Sequence, residues 1–163
     1  MKNRLTRSLL LFLALLLSAV QAQAALKTGT EVPDFELTDM EGRTVRLSDY
    51  KGHPFILKLA TTWCPSCREQ SGEFKKASKF LTENRIPVIE VFVDDSEDDV
   101  RDYIKKNPLH EPHASILDDG TVYETYNIYL IPRVLIVDSE FKVQHDGSLI
   151  KAAEFKPMLE KLL

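Results

Sequence analysis

The sequence predicts an α/β sandwich built on a central mixed sheet flanked by helices, with a β-hairpin added on its N-terminal side. Three observations predict it. Phe55–Ala60 and Val88–Val93 are compact apolar runs of strand length, each is followed by residues of helical periodicity, and Arg133–Leu163 reads as strand, turn, strand and amphipathic helix.

The first residues read as an address. Lys2, Arg4 and Arg7 form a positive segment, Leu9 to Val20 is almost wholly apolar, and Ala22-Gln23-Ala24 fits the small-x-small pattern cut by signal peptidases. The run is shorter than the ~20 residues of a comfortable spanning helix. The expected division is therefore a signal peptide at 1–24 and one domain at 25–163, exported to the periplasm or another extracytoplasmic space, with retention as an uncleaved anchor as the alternative.

Within 25–163, Phe35 and Leu37, then Val45 and Leu47, flank an Asp39–Gly42 turn and mark the hairpin. Phe55–Ala60 passes directly into Trp63-Cys64-Pro65. Pro65 suits a first helical turn, which puts Cys64 near the N-cap, and Phe74, Ala77, Phe80 and Leu81 carry one helix on to Asn84. After Val88–Val93, the acids from Asp94 to Asp99 cap a helix running from about Val100 to Lys106. A short strand at 114–117, a turn at Asp118–Gly120 and a brief helix at 122–126 lead to Ile131-Pro132. Arg133–Val137 and Lys142–His145 are strands around the Asp138–Glu140 turn, and Ala152–Leu163 is the closing helix.

Loss of residues 1–24 removes three of the 21 Lys and Arg and no acid, leaving 18 basic against 25 acidic residues and a formal charge of −7. That balance disfavours nucleic-acid and anionic-membrane roles, which need a basic face. A single domain of 139 residues has volume for a real core, and a monomer is expected.

The chain has two cysteines, Cys64 and Cys67. A structural disulfide gains most by closing a long loop, and this one closes almost nothing. Two thiols at i and i+3 at a helix start can instead form a small-ring disulfide and exchange it. The helix N-terminus favours a thiolate on Cys64, the attacking sulfur, and Cys67 resolves the mixed disulfide. The alternative is half a metal site, with further ligands from His53, His110, His113 or His145. Only His110-Glu-Pro-His113 has any matched spacing, and it reads more simply as a loop. No metal site and no cofactor is expected.

Pro33-Asp34-Phe35-Glu36-Leu37, Gly42, Leu47–Gly52, Ala60-Thr61-Thr62-Trp63-Cys64-Pro65-Ser66-Cys67, and Ile131-Pro132 with Asp138 together resemble the TlpA/ResA branch of thioredoxin-like proteins. The resemblance covers essentially all of 25–163 and implies a thioredoxin-like fold and exchange with protein thiols and disulfides. It also implies a cis Ile131–Pro132 bond facing the disulfide, and a groove formed by Trp63, Pro65, Ser66, Ile131 and Arg133. Arg133 departs from the small hydroxyl residue usual after this proline. Reduction is favoured over oxidation, with a role such as keeping apocytochrome haem-attachment cysteines reduced and electrons from a membrane thiol carrier.

Lys58 interrupts an apolar strand six residues before Cys64, where thioredoxins carry a buried acid. Glu90 interrupts the next strand where the resemblance places a thioredoxin lysine. A charge-swapped pair beneath the thiols is expected, one that favours thiolate character and shuttles the exchange proton. The alternative has Lys58 snorkelling outward and Glu90 on a solvated edge. Some ResA-like proteins carry an acid where Gln70 stands. Trp63 is either a groove wall or a core aromatic. Tyr123, Tyr126 and Tyr129 read as packing around a short helix, and Asp94, Asp95, Glu97, Asp98 and Asp99 as a solvated helix cap, with a surface for a basic partner as the alternative.

Two other functions are weighed. Thr61 precedes Cys64 by three residues as in peroxiredoxins, but Leu57 and Pro132 stand where those enzymes have proline and arginine. A copper-delivery protein of this fold usually spaces its cysteines one residue farther apart and adds a histidine.

Overall fold

The computed structural model describes residues 25–110 and 112–163; the signal-peptide expectation at 1–24 lies outside the described residues. The elements are β1 (Glu36–Thr38), β2 (Thr44–Arg46), a 3-10 turn (Leu47–Tyr50), β3 (Phe55–Ala60), α1 (Pro65–Lys76), α2 (Ser78–Glu83), β4 (Val88–Phe92), α3 (Glu97–Lys106), β5 (His113–Leu117), α4 (Thr121–Tyr126), β6 (Arg133–Val137), β7 (Val143–Gly147) and α5 (Ala152–Glu160).

The main sheet has the order β5-β4-β3-β6-β7. β3, β4 and β5 run parallel, while β6 is antiparallel to β3 and β7 to β6. Strand β3 lies at its centre and all six of its residues are buried. That position explains why its sequence is a continuous apolar run, broken only by Lys58. The expected mixed sheet with flanking helices is therefore present.

The two sheet faces carry separate cores. On one, Phe35, Leu37 and Leu47 of the N-terminal segment pack with Phe55, Leu57, Leu59 and Tyr126. On the other, Ile56 and Ile136 meet Phe74, Leu81, Phe155 and Leu159 from α1, α2 and α5. Phe74 and Phe155 contact edge to face with centroids 5.6 Å apart. The β1–β2 hairpin is present as a separate two-stranded sheet. It reaches the edge strand β5 through the Asp39–Ile116 bridge and a 2.8 Å bond from the Met40 amide to the Ser115 carbonyl, covering part of an edge that would otherwise present unpaired backbone.

The structure departs from the expected elements at five points. The helix after Cys64 is broken at Ala77 (φ −95°, ψ 4°), where the Ala77 amide is shared between the Glu73 and Phe74 carbonyls at 3.2 and 3.1 Å. This 3-10-like tightening is invisible to periodicity because Phe74, Ala77 and Leu81 stay buried across it. Helix α3 starts at Glu97, three residues earlier than expected. Ser96 is its N-cap, accepting the Asp99 amide at 3.2 Å, so Glu97, Asp98 and Asp99 occupy the first turn, where negative charge complements the helix dipole. Strand β7 extends to Gly147, and α5 ends at Glu160 rather than Leu163. Of the three tyrosines, only Tyr126 is core: Tyr123 is on the outer side of the six-residue α4, and Tyr129, beyond the end of that helix, is exposed.

Candidate active site

Central strand β3 ends at Ala60, and three residues later the chain turns into α1. Cys64 is the N-cap in extended conformation (φ −77°, ψ 118°), Pro65 opens the helix, and the Cys67 amide donates to Cys64 Sγ at 3.2 Å. A sulfur thus takes the place of the oxygen that usually caps an N-terminal amide. Both cysteines are free, with Cys64 6% exposed and Cys67 fully buried. Burial pushes the Cys67 thiol up to about 12, aided by its bond to the Cys64 sulfur and by Cys64's charge; the Thr61 backbone N–H and the Lys58 charge pull the other way. The site is asymmetric: one sulfur at the rim and one a turn deeper that keeps its proton.

Opposite the thiols, the Ile131–Pro132 bond is cis. Ile131 packs against Ala60, Cys64 and Cys67, which places this loop on the sulfurs. Pro132 is buried, Ile131 half-buried, and Pro65 and Ser66 are exposed beside the cysteines. Trp63 is 60% exposed, which excludes the core-aromatic alternative. Arg133 turns away from a free groove position. Its guanidinium makes a bidentate pair with Asp146 (2.8 and 2.6 Å) and donates to the Tyr126 carbonyl at 2.5 Å. Arg133 and Pro132 line a cavity of about 420 Å³ with Leu26 and the exposed Tyr129 and Leu130.

Lys58 and Glu90 are register partners on β3 and β4. They form an ion pair with side chains 0% and 1% exposed, so the snorkelling alternative does not hold. Glu90 sits on an internal strand between β3 and β5, where a lone carboxylate would be untenable. Lys58 lies between Ile56 and Ala60 on the face that packs against the cysteines and α1, and it also donates to Ser71 Oγ at 2.7 Å.

Sequence reasoning missed several residues that build this site. Asp95, read as part of a solvated cap, accepts both the amide and the hydroxyl of Thr62 at 2.8 and 2.6 Å, while Arg68 donates to the Thr62 carbonyl at 3.0 Å. The chain entering Cys64 is held by two side chains at three atoms of Thr62. Gln70, fully buried, pairs with both backbone groups of Ile150 (3.1 and 2.8 Å), and Glu73 accepts the Ala152 amide at 2.9 Å. These bonds tie α1 to the start of α5. The one available signal was a polar residue recurring at i and i+3 on the helix's inward face. Among the described residues, no three His, Cys, Asp or Glu side chains converge as metal ligands.

Residues 28–146 match the AhpC/TSA family. Thiol-disulfide oxidoreductase ResA of Bacillus thuringiensis subsp. konkukian is 28% identical over 138 residues, spanning 85% of this chain and 78% of that protein. ResA of Geobacillus thermodenitrificans is 28% identical over 142 residues, or 86% and 80%. Among solved structures, the thioredoxin domain of a thiol-disulfide oxidoreductase from Bacteroides vulgatus superposes with a TM-score of 0.73 at 23% identity, covering 84% of this chain and 98% of that one. A thiol:disulfide interchange protein DsbE from Chlorobium tepidum gives 0.71 at 22%, covering 84% and 96%. The structural likenesses establish the thioredoxin-like fold.

Proposed function

The chain belongs to the AhpC/TSA family and has a thioredoxin-like fold, and from that premise we propose that it is a protein dithiol-disulfide oxidoreductase working through Cys64 and Cys67. The observation that carries the reading is the sulfur-capped helix: Cys64 Sγ at the helix start, bonded to the amide of a deeper cysteine, with the cis-proline loop packed on both.

In the reductive direction Cys64 attacks a partner disulfide as a thiolate, and the displaced partner sulfur leaves with the electron pair of the broken bond. Cys67 then loses its proton and attacks Cys64 Sγ. The second partner thiolate departs, so the partner gains two electrons and the chain is left as the Cys64–Cys67 disulfide. After burial, the influences that keep Cys67 protonated include its bond to Cys64 and that residue's charge. Both disappear once Cys64 is held in the mixed disulfide, so the resolving thiol becomes easier to ionise at the stage that requires it. Lys58 and Glu90 serve this step as a charged pair beneath Cys67.

The substrate is an extended polypeptide bearing a cysteine, lying along Trp63, Pro65, Ser66 and the Ile131-Pro132 loop, with Arg133 fixing that loop through Asp146. The TlpA/ResA resemblance, the ResA relatives and the composition of residues 1–24 support work outside the cytoplasm, on the reducing side of cytochrome maturation, as a monomer recharged by a membrane thiol donor. Trapping partners with Cys67→Ser in cells, and scoring whether the wild-type protein accumulates as dithiol or disulfide, tests both parts. Failure to capture any cysteine-containing protein, or accumulation of the disulfide form, overturns the activity or its direction respectively.

A further inference from the structure

The buried polar cluster under the thiols does not stop at Lys58 and Glu90. Ser71, one helical turn after Cys67 on α1, and Tyr103 on α3 complete it, with only 8% and 7% of their surfaces exposed. Ser71 Oγ lies 2.7 Å from Lys58 Nζ, 3.3 Å from the Cys67 carbonyl oxygen and 2.9 Å from the Tyr103 hydroxyl.

A hydroxyl has one hydrogen and two lone pairs, an ammonium only donates and a carbonyl only accepts. Lys58 therefore takes one lone pair of Ser71, and the Cys67 carbonyl takes the single hydrogen. Tyr103 is left as the donor to the remaining lone pair. Ser71 is saturated, and it joins the turn of α1 carrying Cys67 to the ammonium of β3.

We propose that Ser71 and Tyr103 are positioning residues for the resolving step, holding the Lys58 ammonium against the turn that carries Cys67 so that its positive charge acts on that sulfur. Without the Ser71 acceptor, the partner left to Lys58 among the described residues is Glu90, on the neighbouring strand, and its charge is drawn across the sheet. Tyr103 fixes the rotor of Ser71 and remains a donor throughout: burial, followed by the Glu90 charge, pushes its hydroxyl up. The Lys58 charge in turn favours ionisation of Cys67.

This inference rests on Cys64–Cys67 exchange, and the experiment separates the two. The reduced protein is mixed with an aromatic disulfide whose released thiol is coloured. The first release reports capture by Cys64 and the second reports attack by Cys67. In Ser71→Ala the ratio of second to first rate at pH 7 falls about threefold and the pH midpoint of the second phase rises by about half a unit, the equivalent change in thiolate fraction. Tyr103→Phe moves both in the same direction by less, and Ser71→Thr, which keeps the hydroxyl, restores them. A merely structural role lowers unfolding midpoints without moving the midpoint in pH. An unchanged ratio and pH midpoint in Ser71→Ala, or no recovery in Ser71→Thr, overturns the proposal; should Ser71→Ala not fold, Tyr103→Phe decides by the same readout. A wild-type protein giving no second release overturns the exchange reading itself.

Discussion

Lys58 and Glu90 stand on one rung of the parallel β3–β4 ladder and form an ion pair with almost no contact with solvent. The pair joins two internal strands at the place where the central strand hands over to the cysteines. A buried pair of this kind is weak evidence for stability, since two desolvated charges offset their mutual attraction; the role in resolution proposed for it would give it a chemical reason to exist.

Stability and reactivity should therefore separate at this rung. Glu90→Gln leaves the Lys58 ammonium without its counter-charge and is expected to lower the unfolding free energy of the reduced protein by about 3–5 kcal/mol in urea. The double variant Lys58→Met/Glu90→Leu removes both charges and should recover most of that loss, yet still resolve mixed disulfides slowly. A double variant that exchanges thiols at the wild-type rate would show that the pair is only structural.

Asp95 is expected to matter although it belongs to a cluster of surface acids. Its carboxylate holds the amide and hydroxyl of Thr62, two residues before Cys64. Asp95→Ala leaves the Thr62 amide without its acceptor and should cost about 1–3 kcal/mol, with a several-fold drop in the rate at which Cys64 is alkylated. Asp98, exposed on the first turn of α3, is the control: Asp98→Ala should cost no more than its share of the helix-dipole interaction, about 0.3–1 kcal/mol, and leave the alkylation rate of Cys64 unchanged. Equal alkylation rates in the two variants would dismiss the clasp.

The contrast between Asp95 and Asp98 shows where sequence patterns stop being informative. The strand run at Phe55–Ala60, the proline after Cys64 and the interrupting charges at 58 and 90 are local signals, and each has a local physical cause, so elements and thiols could be read directly. Asp95 meets Thr62 from 33 positions away, and Gln70 meets Ile150 from 80; nothing in their neighbours distinguishes a carboxylate that folds back from one that faces water. Lys58 and Glu90 are legible at 32 positions' separation because a charge inside an apolar strand is costly enough to demand a partner, and the thioredoxin resemblance implies that the two positions are neighbours. The break at Ala77 is not legible, because the buried face continues across it.

Gln70 offers a direct test of this kind of long-range fit. Its amide donates to the Ile150 carbonyl and accepts the Ile150 amide, a pairing that needs one donor and one acceptor on the same side chain. Gln70→Glu keeps the acceptor and sets a carboxylate against the carbonyl, so the buried acid should titrate above the usual ~4.3. The folded state then binds a proton more tightly than the unfolded chain. Relative to wild type, the variant should be destabilised at neutral pH by about 1–3 kcal/mol and should regain stability as the pH falls towards 4 and the protonated acid donates to Ile150. A deficit that is the same at pH 7 and pH 4.5 in urea titrations would contradict it.

Asp39 should show the opposite dependence on pH. Burial by itself would push its carboxyl up, but the Arg43 amide, the Arg43 guanidinium and the Glu41 amide outweigh it and hold Asp39 below the ordinary carboxylate range. For a depressed carboxyl, the unfolded chain binds the proton first. The stabilisation is therefore complete above the unfolded value of ~3.9 and is lost as pH falls through the folded one. Arg43 is more than half exposed, so solvent screens its share and the expected advantage of wild type over Asp39→Asn at pH 7 is at the low end for a bond to a charged group, about 1.5 kcal/mol. That advantage should shrink steadily below about pH 4. Glu73, also depressed, chiefly by the Ala152 amide, is present in both proteins and cancels in the difference, so urea midpoints of the pair at pH 7 and pH 3 isolate Asp39. Because this residue fixes the turn that bridges the hairpin to Ile116 of β5, its protonation should loosen the hairpin before the main sheet, which amide exchange at Met40 and Val45 would detect as earlier loss of protection than at Leu57. Simultaneous loss at all three amides, or a wild-type advantage independent of pH, would rule this assignment out.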